Sequence, residues 1–313
     1  MSGSAAPVGI GSFACEVGDV EVEAQDLPGF EETWAAESPG ADFAKMGCGT
    51  FRRLTGPIEE AIAASTARTL AAAGVGGDSV DHAIFATTDA GLGRLAPTLA
   101  VGALDAAGLG RAVPAMVSFQ QCCSSLTALR QAWDLFADPR VDTVLLVAFD
   151  RWPDDRERIR SFALFGDAVT TCLLRRGGDG FGLAASAVGV DPEGLHSRDT
   201  FQSRQQVARS TLATVLDAAG RTTDDVVKVF PTNLFAPLAI FNASAARLHR
   251  SKLHFASTLA TYAHCGNCDW MLNLADHGRV EGFVPGGAYL AQGSAPGFSA
   301  SALLVARDGE AEA

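Results

Sequence analysis

The stretch AMVSFQQCCSSLTALRQAWDLF, residues 115–136, reads as a strand, a sharp turn and an amphipathic helix. Ala115–Phe119 is a short apolar run, and Leu126, Leu129, Trp133 and Phe136 then recur on one helical face. The turn between them carries Cys122 and Cys123. A thiol just ahead of a helix meets unpaired backbone N–H groups and the positive end of the helix dipole, which favour thiolate over thiol. A nucleophilic cysteine needs that setting. Cys123 fits the turn, and Cys122, pointing the other way, reads as core. The competing reading of Cys123 is a small buried hydrophobe.

Outward from this elbow, short β-rich runs alternate with longer segments of helical period. The strands expected are 83–87, 115–119, 143–148, 169–174, 181–190, 227–231, 288–292 and 299–306. The helices expected are 57–73, 95–107, 124–137, 199–219, 237–249 and 269–276. Strand and helix in alternation mean an α/β protein with largely parallel strands. The chain also repeats itself: ARTLAAAGVGGDSVDHAIFATT resembles LATVLDAAGRTTDDVVKVFPTN, with Gly74 matching Gly220 and Val80 matching Val226, each 146 residues on. Carried forward, that offset sets Cys123 opposite Asp269. Two similar halves dividing near 175–182 leave a site at their junction, where strand ends converge.

The chain has 313 residues, 48% of them apolar, enough for one large domain or two ordinary ones. A net charge of −12 argues against nucleic acid or an anionic membrane as a general partner. Arg52-Arg53 and Arg156–Arg160 are local basic runs, either solvated surface or a hold for a carrier or coenzyme phosphate. The first residues show no basic stretch followed by an apolar core, and no apolar run reaches about 18 residues. Seven cysteines, an odd number, fit reduced thiols and a cytoplasmic protein. Cys265 and Cys268 form one C-x-x-C pair with no second pair, so no metal is expected; nor does any glycine-rich phosphate loop occur.

Four short motifs, in order, resemble those of the ketoacyl-acyl-carrier-protein synthase III group of the thiolase superfamily. Cys123-Ser124-Ser125 matches its Cys-Ser-Gly elbow, and Phe165-Gly166-Asp167-Ala168 its Phe-Gly-Asp-Gly segment. Gly266-Asn267-Cys268-Asp269 matches its Gly-Asn-Thr-Ser, and Gly297-Phe298 its closing Gly-Phe loop. The resemblance implies a thiolase fold: two pseudo-repeated βαβαβ halves, 1–178 with the nucleophile and 179–313 with His, Asn and Asp, packed as a five-layered α-β-α-β-α sandwich. It implies a homodimer, with strand 115–119 pairing across the two-fold. It also implies that Cys123 takes an acyl group from a carrier-protein or coenzyme A thioester, with no permanently bound cofactor. The N–H groups of Cys123 and Gly297 would form the oxyanion hole.

The sequence departs from that group in one place. Condensing members carry Pro-His-Gln-Ala-Asn after the second repeat's strand, whereas this chain has Phe230–Pro237, which contains no histidine. Thr232 and Asn233 replace that donor only in part. A different histidine, His264, falls by the turn opposite the nucleophile and is the candidate base. Asp269 either orients it, as in a Cys-His-Asp arrangement, or simply caps the next helix. Asn267 remains as a donor to a thioester carbonyl. His82, His196, His249, His254 and His277 carry no assignment. The reading is an acyltransferase delivering to a hydroxyl or amine acceptor in secondary metabolism. Carbon–carbon condensation or priming is the alternative, and a non-catalytic subunit of a heterodimeric synthase is a third. The pocket lids expected are 34–48, 89–95 and 151–162.

Overall fold

Residues 6–89, 96–196, 198 and 200–307 are described by a computed structural model. Its strands are β1 (Val8–Val17), β2 (Val20–Glu23), β3 (Thr50–Arg53), β4 (His82–Ala86), β5 (Val113–Val117), β6 (Thr143–Asp150), β7 (Ile159–Arg160), β8 (Ala163–Leu164), β9 (Ala168–Arg176), β10 (Phe181–Val190), β11 (Val226–Phe230), β12 (Ala288–Ala295) and β13 (Phe298–Ala306). Its helices are α1 (Phe30–Glu37), α2 (Ile58–Ala73), α3 (Ala96–Ala106), α4 (Ser124–Leu135), α5 (Pro192–Leu195), α6 (Phe201–Ala218), α7 (Ala236–Ala245), α8 (Ala256–Tyr262) and α9 (Asp269–Val280). No helix among the described residues is long and apolar enough to cross a membrane.

The amino-terminal half-sheet runs β5-β4-β6-β9-β1, the carboxy-terminal one β10-β13-β12-β11, and a single pair, Ile10 with Phe181, joins them. β6 shows why the layers form. Its residues are all buried: Val144, Leu146 and Ala148 face the central core, and Leu145, Val147 and Phe149 face the outer one. A strand covered on both faces reads as a continuous apolar run rather than an alternating one. The central core holds Leu126 and Leu129 of α4 with Met271 and Leu274 of α9, sandwiched between the half-sheets. Outside them, α2 and α3 cover one half-sheet, α6 and α7 the other. These are the five layers that the resemblance implies.

The repeat is visible in backbone geometry. Gly74 and Gly220 close α2 and α6 in the left-handed conformation, at φ 63° and 61°. The offset shortens by one residue before the elbows: α4 begins at Ser124 and α9 at Asp269, 145 apart. Cys123 therefore corresponds to Cys268, not to Asp269, and Cys122 to Asn267.

The sequence reading misses β1, the strand at the seam of the two halves. Gly9 and Gly11 interrupt its alternation, and Gly9 is there for contact: a Cβ on it would lie 2.1 Å from the Gly178 carbonyl oxygen. The segment before His264, absent from the expected helices, is the helix α8. The strand expected at 115–119 spans 113–117, which leaves Phe119 outside it and 86% exposed.

Candidate active site

Two elbows meet at the centre of the molecule. The first is the 3₁₀ turn Gln121–Cys123 leading into α4, the second the 3₁₀ turn Gly266–Cys268 leading into α9. Ser125 ties them together, donating to the Asn267 carbonyl (2.6 Å) and accepting from Trp270 Nε1 (2.9 Å).

Cys122 is the cysteine that faces the other elbow. Its Sγ lies 3.3 Å from His264 Nε2 and borders a cavity of about 420 Å³. Cys123 is completely buried in the central core, and burial pushes its thiol well above the usual range despite a hydrogen bond from the Ala300 N–H. It does not line the cavity. The expectation for this pair is thus reversed: the core residue is Cys123 and the presented thiol is Cys122. Gln121, just before Cys122, sits at φ 49°, a left-handed conformation rare for a side chain of its size.

On the far side of the imidazole, His264 Nδ1 lies 2.5 Å from Asp269 Oδ2. The Asp269 carboxylate also accepts from the Asn233 N–H (Oδ2, 2.7 Å) and the Cys265 N–H (Oδ1, 2.7 Å). The N-cap of α9 is Cys268, with no side-chain cap bond, so Asp269 reaches back over the turn to hold the ring. Burial of His264 works against its charged form. The Asp269 carboxylate and the Cys122 sulfur outweigh that and hold its pKa well above the ordinary value. The ring is fixed further by its own backbone, which donates to Leu164 (2.8 Å) and accepts from Gly166 (2.9 Å), and by Phe165 at 4.9 Å between ring centroids. Ala263, just before it, holds φ 62° and ψ −146°, a region almost reserved for glycine. Each residue of the Cys122–His264 pair thus follows a strained, non-glycine neighbour.

Asn267 does not join this group. Its Nδ2 donates to Asp150 Oδ2 (2.6 Å), as does its N–H (2.7 Å), and its Oδ1 is buried without a partner. Asp150 in turn accepts through Oδ1 from Thr87 Oγ1 (3.0 Å) and from the Thr88 N–H and hydroxyl (both 2.7 Å). Desolvation raises its pKa to about 6 against these hydrogen bonds. A Cβ on Gly266 would fall 1.9 Å from Asp150 Oδ2, so that turn admits only glycine.

Gly297 is likewise elsewhere. It forms the β12–β13 turn, where its carbonyl accepts from the Asp191 N–H (2.8 Å) and a Cβ would strike Leu195. The glycine against the elbow is Gly293, whose absent Cβ would stand 2.9 Å from the Cys122 carbonyl oxygen, and it lines the cavity. Thr232 also lines the cavity, taking a bond from the Ser294 N–H (3.0 Å), while Asn233 turns inward to Ala263, Thr258 and Asn273.

Trp152, Arg160 and Phe162, in one of the three expected lids, line the cavity. Residues 34–48 do not, since Trp34 and Phe43 pack on Phe235, and residues 90–95 lie outside the described residues. The sequence reading misses the wall built by Phe201, Arg204, Gln205 and Arg209 of α6. The basic runs are largely spent on ion pairs: Arg52 with Glu21, Arg53 with Asp155, Arg156 with Asp154, and buried Arg158 with Asp167 and Asp155. Cys265 and Cys268 are both free and buried.

No protein-family model matches the sequence, and no curated protein matches it. Solved structures do. ChlB3, described as an acyltransferase, superposes with a TM-score of 0.82 at 16% identity, covering 98% of this chain and all of its own. The 3-oxoacyl-[acyl-carrier-protein] synthase III of Aquifex aeolicus VF5 gives 0.77 at 15% identity, over 95% of this chain and 99% of its own. The priming β-ketosynthase of the R1128 polyketide pathway gives 0.77 at 18%, over 99% of each.

The chain has the thiolase fold.

In that fold the cavity lies at the junction of the two halves, with the first half supplying Cys122 and the second His264 and Asp269.

Proposed function

We propose that this chain is an acyltransferase that carries an acyl group as a thioester on Cys122 and passes it to a hydroxyl or amine of a small molecule of secondary metabolism. The observation that carries this reading is the Cys122–His264–Asp269 chain of contacts opening onto the cavity. The raised pKa of His264 favours its imidazolium, and an imidazolium beside a sulfur is the pairing that activates a cysteine nucleophile. The thiolate attacks the thioester carbonyl, the bond to the donor sulfur breaks, and the departing thiolate takes the Nε2 proton. His264, now neutral, accepts the proton of the acceptor O–H or N–H as it attacks the acyl-cysteine, and Cys122 leaves as the thiolate. Asp269 stays ionised throughout and fixes the tautomer with Nε2 toward the sulfur. We assign the backbone N–H of Cys122, with the strand edge at Gly293, to the oxyanion.

Trp152, Phe162, Phe165 and Leu238 suit an acyl chain, and Arg160, Arg204 and Arg209 suit the phosphate of a carrier-protein arm or coenzyme A. The intact triad speaks against a non-catalytic subunit. Condensation has less support, because Phe230–Pro237 holds no histidine and the Asn267 amide is bound to Asp150, which leaves only His264 of the pair that would activate a malonyl thioester. Supplied with malonyl-carrier protein, the acyl-enzyme should release carbon dioxide at least about 10²-fold more slowly than a competent condensing enzyme. Comparable release with a 3-ketoacyl product would make condensation the reaction.

The chain should also form a homodimer through β5. That strand is an edge of the sheet, with Val113 56% exposed. Light scattering at micromolar concentration should give twice the chain mass.

A further inference from the structure

In the second half, His254 enters the turn before α8, His277 lies in the last turn of α9, and Glu281 follows one turn after His277. None of the three lines the cavity. Their nearest ligand atoms all lie within 4.8 Å of one another. Glu281 Oε1 stands 3.4 Å from His254 Nδ1 and 3.6 Å from His277 Nδ1, too long for strong hydrogen bonds. Zinc with bonds of 2.0–2.1 Å in a tetrahedral shell sets its ligands about 3.3 Å apart. The two edges observed are close to that value.

His277 supplies the second observation. The residue is 2% exposed, yet its Nδ1 is buried with no hydrogen-bond partner and faces the Glu281 carboxylate. An orphaned imidazole nitrogen in the interior is costly unless something fills it. The outer contacts also fit. His254 presents Nδ1 to the cluster because its Nε2 is held at 2.9 Å by Asp276 Oδ2, which also accepts from Ser257, while Asp276 Oδ1 accepts from Arg279. A carboxylate on the remote nitrogen is the usual support of a metal-binding histidine. Against the site stands Lys228, whose Nζ donates to Glu281 at 2.9 Å and competes for that carboxylate.

We infer that His254, His277 and Glu281 form a binding site for a divalent transition metal, zinc by ligand type, with water completing the shell. Nothing in the sequence spacing announces it, because His254 joins the His277/Glu281 pair only through the fold. The metal would tie the entry of α8 to the exit of α9, the helices whose other ends carry His264 and Asp269.

The test uses the full chain, stripped by chelator and titrated with zinc chloride against a chromogenic competitor, and in parallel with cobalt(II). One equivalent of zinc should bind at micromolar concentration or below, and cobalt should give the visible absorption of a four-coordinate N/O site without a thiolate charge-transfer band. Glu281 is 43% exposed, so Glu281→Gln should fold normally and weaken zinc binding at least about tenfold. Asp276→Asn should weaken it by about 10–100-fold. Lys228→Met should tighten it, since the competing ammonium is gone; a plain ion-pair network would show no such gain. Absence of saturable zinc binding, indifference to Glu281→Gln, or a thiolate band would each overturn the site. The readouts do not depend on acyl transfer, so the two proposals stand or fall separately.

Discussion

The two elbows are built alike and do opposite things. Each is a 3₁₀ turn running into a central helix, and Cys122 and Asn267 hold equivalent places 145 residues apart. At the first elbow the side chain faces the cavity. At the second, the Asn267 amide is drawn inward and clamped by Asp150 from the end of β6. What differs is the neighbour. Gln121 and Gly266 share a left-handed backbone, at φ 49° and 61°, but only the glycine lets the chain come against the Asp150 carboxylate that takes the Asn267 amide. The two similar frames thus end differently: one turns the Cys122 thiol to the cavity, and the other is clamped beside the turn from which Asp269 holds His264.

The sharpest break of this comparison is to exchange the two cysteines' roles. Cys122→Ala should lose acylation by a suitable acyl thioester altogether, at least about 10³-fold, whereas Cys123→Ala should keep a single acyl adduct in intact mass. An adduct that survives in Cys122→Ala and maps to Cys123 would return the nucleophile to the second cysteine. Next comes the second elbow. His264→Ala should accumulate acyl-enzyme and slow transfer to the acceptor by about 10²–10⁴-fold. Asp269→Asn should follow it, since an amide cannot hold an imidazolium; turnover within about threefold of the parent would reduce Asp269 to scaffolding. Asp150→Asn tests the lock itself and has the smallest effect. The folded pKa of about 6 lies above the ordinary 3.8 of an aspartate, so the folded state binds this proton more tightly than the unfolded one. Its contribution is complete below about pH 3.8 and is lost as pH rises through 6, on the order of 3 kcal/mol in all. Denaturant midpoints of the parent should carry that slope, and Asp150→Asn should flatten it.

The frame was legible in the sequence because it is local. The Ala-Ala-Gly helix ends, the continuous apolar run of β6 and the strand–turn–helix at 115–136 each state their structure within a dozen residues. His264 and Asp269 were legible too, five residues apart on one turn. What was hidden depends on distant partners or on which way a turn faces. Asn267 looked like a donor because Asp150, 117 residues earlier, cannot be placed beside it from spacing. Cys122 and Cys123 are neighbours on one turn, and spacing does not state which of them faces His264. Gly297 and Gly293 differ by four residues on one hairpin, and only the packing of Leu195 and Cys122 tells them apart.

The halves also differ at their rims. β11, the last strand of the second half, is partly capped: the His254 N–H donates to the Val229 carbonyl (2.9 Å), and Leu253 bridges Val229. β5, the last strand of the first, has no such cover among the described residues, and its backbone groups face outward. A ribbon with two free margins adds neighbours without limit, and fibres follow. With one margin partly capped and the other free among the described residues, a second copy joined at β5, as proposed, would leave the pair little open edge for a third. The missing strand of the second half would then limit growth as well as break the repeat.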